Sequence, residues 1–242
     1  MSGSRVTLQP AFILHQRPFR DSSTLLEVFS RDFGRIGLVA RGARGGKSRL
    51  RGTLQPFRPL LVSWLARGEL GTLSAAEPDG PSLSLSGTAV FSGFYVNELL
   101  LRLLPRQDPH PELFGPYAEA IRALGAQAGE RPLRVFEKRL LDALGYGLLL
   151  DCDAHTGASL DPQLAYEYQL EIGPMPVEDG RAAGLRMVGS SLLSLHREEL
   201  ADAQSMSDAK RLLRAALALY LGDRPLKTRE VLKRMLGRPA SG

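Results

Sequence analysis

A glycine-rich basic stretch, RGARGGKSRLRG at residues 41–52, is the first segment whose residue types suggest chemistry. Its Gly46-Lys47-Ser48 ending is typical of a loop that curls backbone N–H groups around the phosphates of a nucleotide. That loop begins with a glycine at a fixed distance before the lysine, which here is position 41. Position 41 is arginine, and Gly42 lies one residue too close to Lys47. The spacing therefore disfavours a nucleotide-hydrolysing enzyme, which stays open as an alternative, and favours a basic loop that holds a nucleic-acid backbone.

The basic loop lies within a longer region that contains no acidic residue. From Phe33 to Gly68 the sequence has eight Lys or Arg residues and no Asp or Glu. An ordinary solvated surface mixes both signs, because like charges repel. The run therefore favours binding of a polyanion over chance clustering of arginines. The predicted nucleic-acid contacts are the cations in its first half: Arg35, Arg41, Arg44, Lys47, Arg49 and Arg51.

Net charge changes sign along the chain. Residues 1–80 hold 12 Lys/Arg against 6 Asp/Glu, residues 81–204 hold 10 against 17, and residues 205–242 hold 9 against 3. Each segment is therefore expected to face a different partner. No stretch of about 18 apolar residues is free of charge, so no membrane span is predicted. A single cysteine and the lack of a secretory signal favour the reducing cytoplasm.

The first 80 residues are predicted to form short strands around the basic loop. Apolar segments at 11–15, 24–30, 35–40, 59–66 and 70–75 alternate with turn residues. Five strands with an insertion after the third match the layout of an OB-fold barrel, which binds oligonucleotides through a basic groove and stacked aromatic rings. Six aromatic residues are available, although most of them are more typical of a core: Phe12, Phe19, Phe29, Phe33, Phe57 and Trp64.

The remainder of the chain is predicted to be mainly helical, after a Pro/Gly/Ser-rich boundary at 77–87. The periodic segments are 88–104, 111–126, 131–144, an approach helix near 190–203, a helix from Ser207 as N-cap to Gly222, and a helix that starts at Pro225. Between them, residues 150–173 are irregular and end in an alternating, strand-like run. The fold class is therefore α+β.

One cluster, DCDAH at 151–155, has metal-ligand spacing. Cys152 and His155 could reach one zinc ion, but a structural zinc needs four ligands, and only the carboxylates of Asp161 and Glu167 could complete the set. We therefore predict no metal and no other cofactor. No Ser-His-Asp arrangement, paired carboxylates or dinucleotide fingerprint stands out, so no catalytic residue is predicted and the protein is not expected to be an enzyme.

Four stretches resemble, in their order and spacing, the RecO family of bacterial recombination mediators and DNA repair proteins. They are residues 11–61, FSGFYVNELLLRLL (91–104), LRVFEKRLLDALGYG (133–147) and YLGDRPLKTREVLKRML (220–236), and the likeness covers residues 5 to 236. The resemblance implies an OB-fold domain at 1–80, a helical domain formed by 81–148 and 186–242, and a zinc-ribbon-like insert at 149–185. Many relatives carry four zinc cysteines in that insert, whereas this chain has one, so the insert is expected to be degenerate.

The resemblance also implies a function in the RecF pathway of DNA repair and homologous recombination. Such a protein binds single- and double-stranded DNA, anneals complementary strands and, with RecR, helps to load RecA onto strands covered by single-stranded-DNA-binding protein. It would be cytoplasmic and associated with the nucleoid. From the residues alone, an OB-fold RNA-binding or ribosome-associated protein remains the alternative.

The segment 131–144 is the predicted contact for a protein partner. In the RecO family the helical body captures the acidic C-terminal tail of single-stranded-DNA-binding protein, which needs an apolar pocket and a cation for the terminal carboxylate. The apolar stripe of this segment includes Phe136, Leu140 and Leu144, with Arg134 and Lys138 beside it. Arg134 lies where the family has a tail-binding arginine. The alternative is that Arg134 is only a solvated helix residue.

Overall fold

The computed structural model describes residues 4–45, 48, 50–66, 68–126, 129–177, 184–222 and 224–236. The chain divides into two compact units, one of Met1–Ala128 with Pro225–Gly242 and one of Gly129–Arg224. The domain boundaries that the resemblance implies lie at other positions, and they stay a prediction.

The elements of the first unit are the strands of a barrel and the helices that accompany them. Its strands are β1 (Arg5–Phe19), β2 (Ser23–Ser30), β3 (Gly34–Ala40), β4 (Leu60–Leu65) and β5 (Leu70–Pro78); its helices are α1 (Leu50–Thr53), α2 (Thr88–Leu103), α3 (Pro111–Ala126) and α7 (Lys227–Leu236). The second unit holds α4 (Arg131–Ala143), β6 (Ala165–Gln169), β7 (Gly173–Pro176), β8 (Leu185–Val188), α5 (Gly189–His196) and α6 (Ala203–Leu221).

The N-terminal strands close a barrel in the order β1-β2-β3-β5-β4. Strand β1 pairs antiparallel with both β2 and β4, while β3 and β5 pair in parallel. The short helix α1 lies in the connection between β3 and β4. This is an OB-fold, so the predicted five-stranded barrel followed by a helical body is confirmed.

Residues 11–14 of β1 and most of β2 are buried, so this part of the pair is covered on both faces. Inside the barrel, Ile13, Val28 and Leu38 belong to one apolar core cluster. On the outer face, Phe12 and Phe29 lie opposite each other across the pair. Both rings pack against Tyr117 of α3, with centroids 4.9 Å and 5.9 Å from its ring. The barrel thus supplies a hydrophobic outer surface for the helices of its unit.

A buried chain of hydrogen bonds also joins the helices to the barrel. The Asn97 amide of α2 donates to the Leu14 carbonyl of β1 at 2.9 Å, and the Tyr117 hydroxyl donates to the Asn97 side-chain oxygen at 2.8 Å. Burial raises the pKa of Tyr117 far above its ordinary value, so the hydroxyl keeps its proton and donates. Since buried polar groups are costly without partners, this chain fixes the orientation of α2 and α3 on the barrel.

Helix α7 begins on a carboxylate of α2. Glu98 accepts hydrogen bonds from the backbone N–H groups of Lys227 at 2.8 Å and Thr228 at 3.0 Å. These N–H groups have no partner within the helix, and the negative charge favours the helix N-terminus. The predicted start at Pro225 is therefore two residues early.

In the second unit, α6 starts earlier than the sequence predicted. The N-cap is Asp202, whose carboxylate accepts from the Ser205 N–H at 2.8 Å and from its hydroxyl at 2.6 Å. The prediction of Ser207 as N-cap is wrong, because Ser207 lies inside the helix. Both residues are good caps, and apolar periodicity alone does not choose between them. The approach helix, predicted near 190–203, is α5 and ends at His196.

Strands β6 and β7 lie in the predicted insert and join β8, which extends past its predicted end at residue 185, in an antiparallel sheet of order β7-β6-β8. Before it, Asp153 accepts from the N–H groups of His155 at 2.7 Å and Thr156 at 2.9 Å. These backbone hydrogen bonds lower the pKa of Asp153. Among the described residues, no group of three or more His, Cys, Asp or Glu side chains could hold a metal ion. A zinc-ribbon-like form for the insert stays a prediction.

Across the described ranges, no helix has the length and apolar character that crossing a membrane would require.

Candidate nucleic-acid interface

A groove of about 530 Å³ opens on the barrel where the β1–β2 hairpin meets the connection after β3. Its floor is apolar, its walls carry two amides and a hydroxyl, and three arginines lie around it. None of the lining residues that the structure describes is acidic. They are Gln16, Arg17, Pro18, Thr24, Ala43, Arg44, Arg51, Leu54 and Gln55.

The loop after β3 is held against the hairpin by Arg44. Its backbone N–H donates to the Ser22 carbonyl at 3.0 Å, and its guanidinium donates to the Arg20 carbonyl at 3.3 Å. Gly42 sits in the left-handed region, with φ 66°, which allows the chain to turn back at this point. These contacts fix one wall of the groove while the Arg44 side chain stays exposed.

The opposite wall is α1, a single helical turn anchored by Leu54. Leu54 is 3% exposed and belongs to the barrel core. The Gln55 amide donates to the Arg51 carbonyl at 2.7 Å, and Arg58 donates to the Gly52 carbonyl at 3.0 Å. The carbonyls at the end of this turn therefore have partners, and Arg51 is left exposed at the groove.

The structure brings together part of the predicted DNA-contact set. Arg44 and Arg51 line the groove, and Arg41 is exposed at the start of the same loop. Lys47 and Arg49 lie outside the described residues.

Arg35 is placed elsewhere. It lies near the start of β3, about 20 Å from Arg41 at the rise of an extended strand. Its guanidinium donates to the Leu101 carbonyl of α2 at 2.6 Å. Burial lowers the pKa of Arg35, Glu27 opposes that effect, and Arg106 adds to it. Arg35 therefore satisfies a carbonyl in the last turn of α2 rather than facing the groove.

Two arginines that the sequence reasoning missed lie on the β1–β2 hairpin. Arg17 lines the groove, and Arg20 places its guanidinium 5.3 Å from the centre of the Phe19 ring. The signal was their position in a short basic stretch, RPFR at 17–20, between two apolar segments. What the sequence did not show is that this hairpin and the loop after β3 meet on one side of the barrel.

The aromatic residues considered for base stacking are mostly core. Phe12, Phe29, Phe57 and Trp64 are each 6% exposed or less. Phe33 is 38% exposed and contacts Trp64 edge-on at 5.2 Å. Of these six residues, Phe19 is the one that directly follows a groove residue, Pro18, and it is half-buried.

The structure also separates the residues predicted to bind a protein tail. Arg134 is 5% exposed and forms an ion pair with the buried Glu137 at 2.9 Å. Phe136 and Leu140 are fully buried in the same unit. The remaining two lie at a half-buried edge of α4, where Lys138 pairs with Asp142 at 3.0 Å and with Glu198 at 3.6 Å, and Leu144 is the C-cap.

Two family models match successive parts of the chain. Residues 1–81 match the family described as Recombination protein O N terminal, and residues 85–230 match Recombination protein O C terminal. Similar relatives, each called DNA repair protein RecO, come from Alkalilimnicola ehrlichii (51% identity, covering 99% of this chain and 96% of the relative), Nitrosococcus oceani (47%, 96% and 94%) and Dechloromonas aromatica (44%, 96% and 97%).

Proposed function

The chain belongs to the RecO family of DNA repair proteins, and from that premise we propose that it is a recombination mediator of the RecF pathway. In this proposal it binds single- and double-stranded DNA, anneals complementary strands and, with RecR, helps to load RecA onto strands covered by single-stranded-DNA-binding protein. It acts in the cytoplasm, on the nucleoid, as a binding protein and not as an enzyme.

The observation that supports this proposal is the groove, which is lined by three arginines and, within the described part of the chain, by no acidic residue. A strand that lies in it places phosphates beside Arg17, Arg44 and Arg51. Each neutralised phosphate releases condensed counterions, which gives strong, salt-sensitive binding that does not depend on base sequence. A mediator must act on any damaged strand, so contacts to the backbone suit its task.

For the protein partner, we propose that the acidic tail of single-stranded-DNA-binding protein contacts the edge of α4. Of the five residues predicted for this contact, Lys138 and Leu144 are the two at least partly accessible to a peptide. Arg134, Phe136 and Leu140 then support that edge from the core, because their side chains are buried. A cation beside an apolar side chain is what such a tail needs.

The DNA contact is tested by replacing Arg17, Arg44 and Arg51 together with alanine. Fluorescence anisotropy with a labelled single strand, repeated at several salt concentrations, gives both affinity and salt slope. The slope should fall by about two units, since each phosphate contact on a single strand contributes about 0.7. The control variant removes three arginines that are exposed outside the groove, namely Arg122, Arg197 and Arg214, and should retain most of the slope.

An unchanged slope in the groove variant would place the DNA contact elsewhere. An RNA strand of the same sequence, run in parallel, separates the mediator from an RNA-binding protein. Annealing of complementary strands coated with the cognate single-strand-binding protein then tests the mediator role itself: absence of annealing above the uncatalysed rate would refute it.

A further inference from the structure

We propose that the groove is a pocket for one unpaired nucleotide, whose base enters between the β1–β2 hairpin and α1 while its phosphates stay at the rim. This inference rests on the proposed DNA-binding function and adds the form of DNA that the site selects. It predicts that the groove prefers strands whose bases are free to leave the stack.

The floor of the groove fits the face of a base. Pro18, Ala43 and Leu54 line it, and Leu54 and Ala43 are 3% and 5% exposed. Apolar side chains in the lining let any base bind through its face, because all bases share that surface. At about 530 Å³ the space lies within the range of pockets that hold small ligands, about 300–1,000 Å³.

The walls offer hydrogen-bond partners for a base edge. Gln16 and Gln55 are exposed amides that line the groove from opposite elements, β1 and the end of α1. Gln55 uses its NH₂ group on the Arg51 carbonyl at 2.7 Å, and its side-chain oxygen is an acceptor. An amide both donates and accepts, so Gln16 can pair with different base edges without choosing one sequence.

The arginine side chains lie at the rim of the groove, where they can bind the phosphates of a nucleotide. Arg17, Arg44 and Arg51 are all exposed, whereas Ala43 and Leu54 of the apolar lining are buried. Phosphates are thereby held at the rim and the base is directed inward. A duplex keeps its bases stacked and paired, so it can contact the arginines but cannot fill the pocket.

The test compares three probes of about 12 nucleotides, a length within the usual site size of an OB-fold. They are a thymidine strand, an abasic strand with the same phosphate backbone, and a duplex. The wild-type protein should bind the thymidine strand about tenfold more tightly than the abasic strand at the same salt concentration. Gln16→Ala with Gln55→Ala should reduce that ratio several-fold and leave the affinity for the abasic strand unchanged.

The matched control is Gln163→Ala, which removes an exposed amide from the second unit and should keep the wild-type ratio. Equal affinity of the wild type for both single strands would overturn the pocket while leaving the arginine contacts intact. So would a double variant that, with a wild-type thermal midpoint, loses affinity for both strands alike. If the arginine variant kept full affinity for every probe, the DNA contact would lie outside the groove. If the wild type bound none of the probes, the DNA-binding function itself would fail, which is a distinct result.

Discussion

Replacing Arg134 with alanine should unfold the second unit more easily rather than remove a surface contact. The guanidinium is 2.9 Å from the Glu137 carboxylate, and the two side chains are only 6% and 0% exposed. The sequence alone suggested either a tail-binding cation or a solvated helix residue. The structure favours a third role, in which Arg134 balances a buried carboxylate inside its own helix.

The size of the effect follows from that burial. Removing one member of a buried ion pair costs about 3–5 kcal/mol, because the charge that stays out of reach of water loses that ion pair. The lower end of that range, about 3 kcal/mol, corresponds to a fall in melting temperature of about 6–12 °C for a protein of this size. An exposed helix arginine changes stability by only about 0.5 kcal/mol.

The assay is urea denaturation of three variants beside the wild type. Arg134→Ala should lower the free energy of unfolding by the amount above, whereas Arg214→Ala, an exposed arginine of α6, should leave it nearly unchanged. A double replacement, Arg134→Met with Glu137→Leu, should recover most of the loss, since apolar side chains of similar volume can replace a buried ion pair.

One outcome would refute this reasoning. If Arg134→Ala were as stable as the wild type and yet lost at least tenfold in affinity for the acidic tail peptide in calorimetry, Arg134 would be a surface residue that binds the partner. At a temperature where the variant is folded, we expect its tail affinity to change by less than about threefold.

Two further predictions test the packing of each unit. In urea denaturation, Gly34→Ala should destabilise the first unit by several kcal/mol more than Gly68→Ala. Both glycines have a φ near +60°, so the backbone strain of an alanine is similar at the two positions. An added Cβ at Gly34 would lie 1.9 Å from the Asp108 carbonyl oxygen, whereas nothing lies within 4 Å of an added Cβ at Gly68. Burial would raise the pKa of Glu198, yet Arg139 and then Lys138 lower this pKa below its ordinary value of 4.5. The ionised Glu198 side chain therefore stabilises the folded protein fully above pH 4.5, and this contribution is lost as the pH falls through the pKa of the folded state. Glu198→Gln should therefore flatten the decrease of the thermal midpoint below pH 4.5, and an unchanged acid limb would contradict this assignment.

The barrel could be predicted from the sequence because its strands carry apolar segments of strand length between turn residues. The ends of β1 could not. Strand β1 runs from Arg5 to Phe19, whereas its apolar segment spans only 11–15. The extra residues are mostly exposed and pair through their backbones with β4 and β2. Backbone pairing leaves no mark on side-chain periodicity.

The candidate site could be predicted only in part for a different reason. An acid-free basic run identifies a surface that attracts polyanions, but it does not say which cations share a face. Arg17 joins the groove through the hairpin, although it lies 27 residues before Arg44 in the sequence. Arg35 belongs to the run yet lies at the other end of β3. Register and barrel closure decide both placements, and they depend on long-range pairing.

Arg35 and Arg44 show why charge alone does not identify a nucleic-acid contact. Both guanidinium groups donate to a backbone carbonyl, at 2.6 Å for Arg35 and 3.3 Å for Arg44. Arg35 is half-buried, so its charge serves the end of α2. Arg44 is exposed at an open groove, so its remaining donors can reach a phosphate. A guanidinium has five N–H donors in a rigid fork, and it can fix a loop and bind a strand with the same group. The loop after β3 is therefore held in place by a side chain that we also propose to bind DNA, so loop order and DNA affinity would depend on one residue.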